Sequence, residues 1–307
     1  MKFLVTGGAG FIGSNIVDEL LKRNYTVRVL DNFSTGKREN LRGFDNDLEL
    51  IEGDIRSYHI VRQAVQGIDV VLHQAALPSV PRSIHDPITT HEVNATGTLN
   101  ILDAAKEAGV KRIVYASSSS VYGDSPELPK REDMIPNPLS PYAVSKLAGE
   151  NYCHVFSRLY GIETVILRYF NVFGPRQDPN SQYSAVIPKF IKLVTEDERP
   201  VIFGDGTQSR DFTYVSNVVE ANILAALKEI DTPVVMNCAS NGQVTVNDLV
   251  VQINILCKKD IKPIYEKKRP GDIIHSYADI NLIENKLGYK TKINFRDGLQ
   301  KLISSRQ

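Results

Sequence analysis

A doubly wound α/β fold, a parallel sheet with helices on both faces, is what this 307-residue sequence predicts. Three observations carry the prediction. Short runs rich in Val, Ile and Leu recur through the first half with little polar alternation, which is how strands buried on both faces read. Helix-length stretches separate those runs, giving a βαβα order. The first run passes straight into Thr6-Gly7-Gly8-Ala9-Gly10-Phe11-Ile12-Gly13, a glycine-rich turn that opens a helix.

In chain order, strands are expected at residues 2–6, 26–30, 48–52, 69–73, 112–116 and 163–168. Helices are expected at 11–23, 57–66, 88–108 and 141–160. The texture changes near residue 170. Residues 171–183 hold Asn, Gly, two Pro, Arg, Gln and Asp and read as a loop. Beyond it, helices are expected at 185–195, 216–227, 246–257, 280–287 and 295–303, with strands at 201–203 and 234–237. The division predicted is a Rossmann-type domain over 1–170 and a smaller C-terminal α/β lobe over 171–307, from which the chain crosses back to the first sheet.

Composition excludes several classes of function. Hydrophobic residues make up 42% and charged residues 23%, the profile of a globular protein. Basic and acidic residues balance at 36 each, so no general attraction for nucleic acid or for anionic membranes is expected. Cys153, Cys238 and Cys257 are scattered, with no C-x-x-C pair, and suggest neither a disulfide framework nor a metal site. No apolar run reaches membrane-spanning length, and Phe3-Leu4-Val5 is too short for a secretion signal, so a cytoplasmic protein is expected.

The glycine turn carries two spacings at once, Gly8-x-Gly10-x-x-Gly13 and Gly7-x-x-Gly10-x-x-Gly13. Such a turn lets backbone N–H groups approach a pyrophosphate, and the N-terminus of the following helix adds partial positive charge. Phe11 and Ile12 lie inside it. Asp31, with Asn32 after it, ends the second strand eighteen residues beyond Gly13. A carboxylate there can accept from adenosine ribose hydroxyls and repels a 2′-phosphate, which favours NAD over NADP. Asp54-Ile55, past the third strand, would border the adenine, although Asp54 could equally cap the next helix.

Tyr142 and Lys146 stand four apart in Ser140-Pro141-Tyr142-Ala143-Val144-Ser145-Lys146, on one face of a helix that a proline begins. A free phenol titrates near ~10, too high for a base at neutral pH. A lysine ammonium and a positive nicotinamide ring nearby would lower it, suiting the pair to remove a hydroxyl proton. Upstream, the strand at 112–116 opens into Ser117-Ser118-Ser119-Ser120-Val121-Tyr122-Gly123, where one hydroxyl could bind the reacting oxygen. Spacing alone does not choose among the four serines.

Together the glycine turn, the serine run with Val-Tyr-Gly, and Tyr-x-x-x-Lys resemble the extended short-chain dehydrogenase/reductase family. The later Arg168-Tyr169-Phe170-Asn171-Val172-Phe173-Gly174-Pro175-Arg176 looks like its UDP-hexose 4-epimerase branch and is most similar to the UDP-N-acetylglucosamine 4-epimerase group. The resemblance covers essentially the whole chain. It implies Ser118 as the family's serine, Tyr142 as its base and Lys146 as the lysine that also holds the nicotinamide ribose. It further implies a cofactor-side role for Asn94 and passage of the cofactor phosphates by His73, Gln74, Ala75 and Ala76. Related dehydratases and decarboxylases carry acidic residues just before Val-Tyr-Gly, where this chain has Ser119-Ser120. A neutral serine is a poor acid for a leaving hydroxyl, and epimerisation needs none.

The resemblance extends to the substrate. Arg210 and Arg269 would bind a UDP diphosphate by charge-assisted hydrogen bonds, and Asp272 would accept from the uridine ribose. Asn171, Ala185, Val186, Lys189 and Phe203 match positions that hold diphosphate, sugar or uracil. Ser276 falls where hexose-restricted relatives carry a bulky tyrosine, so room beside the C2 substituent is expected, and with it UDP-GlcNAc and UDP-GalNAc alongside UDP-glucose and UDP-galactose. The alternatives are a UDP-glucuronate 4-epimerase or decarboxylase on the same scaffold, or a non-catalytic NAD-binding regulator. The resemblance also implies a homodimer formed through two helices per subunit, 88–108 and 141–160.

Overall fold

The computed structural model describes residues 1–44, 47–178, 186–268 and 274–305. Seven strands form the central sheet: β1 (Lys2–Thr6), β2 (Thr26–Asp31), β3 (Leu48–Glu52), β4 (Val70–His73), β5 (Arg112–Ser118), β6 (Glu163–Tyr169) and β7 (Val234–Cys238). Their order across the sheet is 7-6-5-4-1-2-3, and every neighbouring pair is parallel. The order reverses between β1 and β4. In an open α/β sheet, a crevice opens at that reversal beyond the carboxyl ends of the strands.

Helices α1 (Phe11–Lys22), α2 (Tyr58–Ala64), α3 (Val80–His85), α4 (Pro87–His91), α5 (Gly97–Glu107) and α6 (Pro141–Tyr160) belong to the first part of the chain. Successive residues of a strand point to opposite faces, and β1 divides accordingly. Phe3 and Val5 join Ile16 and Leu20 of α1 in one core, while Leu4 joins Val61, Ile101 and Leu102 in the other. The later helices are α7 (Val186–Thr195), α8 (Val215–Leu227), α9 (Val246–Cys257), α10 (Asn281–Leu287) and α11 (Phe295–Ser304). Two of these segments serve the large sheet. α8 lays Val218, Ala221 and Ala225 into the same core as Val5, and β7 completes the sheet beside β6. A third core gathers Phe173, Phe190, Phe212, Leu249, Ile253 and Leu299 in the smaller lobe.

The helix expected at 88–108 is broken, and helical structure starts earlier, at Val80. Asp86 caps α4 by accepting from the Thr89 N–H, with Pro87 at the first position. A π turn, Glu92–Thr96, then separates α4 from α5. Inside the expected loop, Val172–Phe173 pairs in parallel with Thr213–Tyr214. Two-residue strands also place Ser209–Arg210 between Val244–Thr245 and His275–Ser276. Among the described residues, the three cysteines are unpaired and no cluster is placed to hold a metal. No helix there is long and apolar enough to cross a membrane.

Candidate active site

The crevice between β1 and β4 begins at the glycine turn. Gly7 takes a φ of +67°, open to glycine at little cost, and a Cβ on it would stand 2.8 Å from the Ala75 backbone after β4. The turn is closed by the Gly10 N–H donating to the Gly7 carbonyl. A Cβ on Gly10 would touch that carbonyl alone and would otherwise project into the cavity. The cavity has a volume of about 230 Å³. Its walls bring together Gly7, Gly10, Phe11, Ile12 and Gly13 with Asp31, Asn32, Asp54 and Ile55 at one end. Gln74, Ala75 and Ala76 lie along it, and Tyr142 and Lys146 line its other end.

Asp31 is buried at the end of β2, where its carboxylate accepts from the Ala9 and Phe33 N–H groups at 2.8 Å each. Burial pushes its pKa up, and those two donors oppose the shift. Two accepted bonds leave lone pairs free for hydroxyl donors. Asp54 is held chiefly by the Arg56 guanidinium, which takes its carboxyl down to about 2, and it also accepts from Asn32. Asp54 therefore orders this end of the cavity rather than capping α2, whose cap position is Ser57.

A buried hydrogen-bond chain crosses the floor. The Ala75 N–H donates to the Thr6 hydroxyl, which contacts His73 Nδ1 at 2.7 Å. His73 Nε2 meets the Thr98 hydroxyl, and Thr98 donates to the Asn94 carbonyl. Thr98 has therefore spent its proton, so His73 carries its own on Nε2. Burial drives the imidazole down to about 3 and keeps it neutral. Asn94, on the π turn, accepts from the Leu77 N–H and donates to the Leu77 carbonyl and the Ser145 hydroxyl. Its side chain thus ties Leu77, which lines the cavity, to Ser145 of α6. Gln74 donates to Asn222 of α8 and accepts from Tyr169, tying the loop after β4 to the helix that returns from the second lobe.

At the other end, Ser140 caps α6 through the Ala143 N–H and Pro141 takes the first helical position. Tyr142 is therefore in the first turn, and Lys146 lies one turn on. The four serines separate by partner. Ser117 donates to Glu150, and Ser118 faces the Tyr142 phenol. The Ser120 hydroxyl is buried without a hydrogen-bond partner among the described residues. Burial raises the phenol pKa and the Ser118 hydroxyl lowers it. The Lys146 ammonium donates to the Ala116 carbonyl at 2.8 Å and sits 5.2 Å over the Tyr115 ring. Desolvation takes Lys146 down to about 8. In the protein by itself burial is the larger influence on the phenol, and the lowering expected from Lys146 together with a nicotinamide ring belongs to the cofactor-loaded site.

The second lobe brings its candidates onto the small sheet. Ser276 stands in register with Arg210, whose guanidinium donates to the Ser209 and Ile274 carbonyls. Asp211 is fully buried and accepts from the Ser240 and Gly242 N–H groups, and burial moves its carboxyl up to about 6. Asn171 donates to the Asp211 carbonyl. Phe203, Gln208, Lys268 and Ile274 line a second cavity of about 310 Å³. Val186 opens α7, and Lys189 is exposed a turn later. Ala185, Arg269 and Asp272 lie outside the described residues.

Residues 3–239 match the model of the NAD dependent epimerase/dehydratase family. The chain belongs to that family. It is 34% identical over 307 residues to the UDP-glucose 4-epimerase of Mycolicibacterium smegmatis, covering 99% of this chain and 97% of that one. Among solved structures it is similar to a UDP-N-acetylglucosamine 4-epimerase from Methanobrevibacter ruminantium in complex with UDP-N-acetylmuramic acid. That match has 41% identity and a TM-score of 0.95, covering 100% of this chain and 99% of the other. It is also similar to a UDP-glucuronic acid 4-epimerase from Bacillus cereus in complex with UDP-glucuronic acid and NAD, at 35% identity and a TM-score of 0.91, covering 99% and 98%.

As a member of the NAD-dependent epimerase/dehydratase family, the protein is an NAD-dependent enzyme, and the cavity can be tested against a dinucleotide. It passes on two observations. The Gly10 side of the turn is open where a pyrophosphate would meet the start of α1, and the buried Asp31 carboxylate retains free lone pairs at the far end.

Proposed function

We propose that this protein is an NAD-dependent 4-epimerase of UDP-sugars that interconverts UDP-GlcNAc with UDP-GalNAc and UDP-glucose with UDP-galactose through a 4-keto sugar. The observation that carries this reading is that Tyr142 and Lys146, one turn apart on α6, line one end of the cavity whose other walls are the glycine turn and Asp31. Gly7, Gly10, Gly13, Asp31, Lys146 and the loop at Gln74–Ala76 would hold NAD, which supplies the hydride acceptor and donor at sugar C4. Tyr142 removes the proton from the 4-hydroxyl, and Ser118 donates a hydrogen bond to that oxygen. The 4-keto sugar swings about its link to the diphosphate and presents the other face of C4 for the hydride's return, and Tyr142 gives the proton back to the 4-oxygen. Arg210, with Arg269, Asp272, Asn171 and Phe203, anchors UDP during the swing, so the reacting carbon stays in reach. Val186 and Lys189, and by the family resemblance Ala185, would serve in holding diphosphate, sugar or uracil.

Ser119 and Ser120 support epimerisation over elimination, since no carboxyl stands in the serine run to protonate a leaving hydroxyl. The test is a panel. Purified protein is incubated with UDP-GlcNAc, UDP-glucose and UDP-glucuronate, with and without NAD, and anomeric protons are followed by NMR. Interconversion of UDP-GlcNAc supports the reading, and turnover of UDP-glucuronate alone replaces it with the uronate epimerase. No turnover of any sugar with NAD supplied leaves a binding protein.

Ser276 is proposed to admit the acetamido group. Ser276→Tyr is expected to cut kcat/KM for UDP-GlcNAc by about 10- to 200-fold while UDP-glucose changes by about threefold or less. Equal losses for both sugars would remove Ser276 from the specificity argument.

We further propose a homodimer through α3, α4 and α6. Ile84 and Ile88 are exposed on α3 and before α4's first turn ends, and Val144, Tyr152, Val155 and Leu159 are exposed along one face of α6. The spacing of eight, three and four residues is helical, so these side chains form one apolar stripe open to a partner. Light scattering should return twice the chain mass, and Leu159→Glu should halve it. A wild-type monomer would refute the interface.

A further inference from the structure

Glu150 lies four residues beyond Lys146 and eight beyond Tyr142, on the same face of α6. It is a buried carboxylate, and every contact it makes leads to the reaction centre or to a neighbouring strand. Its Oε1 accepts from the Ser117 hydroxyl and from Arg168 Nε at 2.9 Å, and Oε2 accepts from Arg168 Nη2 at 2.7 Å. Ser117 is the residue before Ser118 on β5, and Arg168 stands across from Ser117 on β6. Both members of the ion pair are nearly inaccessible to water.

We propose that Glu150 is a positioning residue of the reaction: it fastens the strand end that carries Ser118 to the helix that carries Tyr142 and sets its negative charge one helical turn from Lys146. The proposal rests on the reading of Lys146 as the cation of the site. Two buried cations, Lys146 and Arg168, flank this carboxylate, and Glu132 also acts on Arg168. Around them stand His73 from β4, Tyr115 from β5, Tyr122 from the turn after β5, and Tyr142, Cys153 and His154 from α6. His73 is held neutral, and burial pushes Tyr115, Tyr122, Tyr142 and Cys153 up and His154 down, each toward its uncharged form. Glu150 is thus the group that opposes desolvation of Lys146.

The sign follows. Burial favours the free amine of Lys146, and the carboxylate favours the ammonium. Glu150→Gln keeps one oxygen to accept from Ser117 and Arg168 Nε, gives up the acceptor of Arg168 Nη2 and removes the charge, so Lys146 should lose its proton at lower pH. In the protein without substrate, NMR titration of lysine side chains, with Lys146→Arg as the assignment control, should show the Lys146 midpoint falling by about one unit. In the NAD-loaded enzyme the alkaline limb of the kcat profile should fall by the same interval, with KM nearly unchanged. Glu150→Asp keeps the charge and should restore the midpoint to within about 0.3 unit, even where its shorter reach lowers kcat. It also serves if the glutamine variant does not fold. Ser117→Ala should lower kcat severalfold with no change in midpoint. An unmoved Lys146 midpoint in folded Glu150→Gln, or an aspartate variant shifted by a full unit, would overturn the proposal. An inactive wild type with the predicted shift would instead sink the epimerase reading and leave the charge coupling intact.

Discussion

Tyr142→Phe is expected to lower kcat for epimerisation by about three orders of magnitude while NAD and UDP-sugar affinities change by a few fold. A positioned base contributes roughly 10²–10⁴ in rate, and the phenol is the group that faces Ser118 at the cavity's end. The ring of phenylalanine fills the same space, so the first turn of α6, capped by Ser140 and led by Pro141, should keep its form. Thermal denaturation of the variant should match wild type within a degree or two. The protein's own groups leave the phenol raised, with Ser118 as the opposing hydrogen-bond partner. Ser118→Ala should therefore compound the loss by removing both the bond to the reacting oxygen and the one group that lowers the base. Initial rates by coupled assay, compared with retained NAD, decide the matter. A phenylalanine variant within tenfold of wild type would falsify the assignment of the base.

Gly13→Ala should abolish cofactor retention by another route. Gly13 has ordinary helical backbone, so conformational freedom is not at issue. Its missing Cβ would stand 2.1 Å from the Gly7 carbonyl oxygen and 2.9 Å from Gly8 Cα. That oxygen is already bonded to the Gly10 N–H and cannot swing aside without opening the turn. Overpacking against backbone costs about 1–3 kcal/mol or more, and the strain falls on the donors expected to face the pyrophosphate. NAD affinity should fall by about 100-fold or more, equivalent to about 2.7 kcal/mol, and the melting temperature by several degrees. Fluorescence titration with NADH and a thermal scan measure the two effects. Wild-type NAD affinity in Gly13→Ala would mean that the turn is a structural corner unrelated to the cofactor.

The large sheet and the glycine turn were legible because their signals are local. A buried parallel strand is a continuous apolar run, and β1, β2, β3 and β6 fall within a residue or so of the expected spans. Tyr142 and Lys146 were legible because helical spacing alone sets them on one face. What escaped depends on partners distant in sequence. The two-residue strands at 172–173, 209–210 and 275–276 have no periodicity to read; they exist because segments distant in sequence pair there. Asp86-Pro87 signals the start of α4, whereas the π turn that breaks the 88–108 span carries Asn94, whose partners Leu77 and Ser145 are distant in sequence. Glu150 went unnoticed because a glutamate on a helix ordinarily faces water, and only Arg168, from the following strand, makes its burial tolerable. His73 reads with the segment beside the cofactor phosphates, and its partners Thr6 and Thr98, one on each nitrogen, come from distant parts of the chain.

The late arrival of β7 bears on how the chain comes to be folded. The outer rim of β6 has its N–H and C=O groups satisfied by residues 234–238, which are synthesised only after α7, α8 and the Ser209–Tyr214 segment have left the ribosome. Until then that rim is an unshielded template for any extended peptide nearby. Closing it requires a contact between segments far apart in the chain, the slow kind. The nascent protein is thus most exposed to misassociation in the interval between the sixth strand and the seventh.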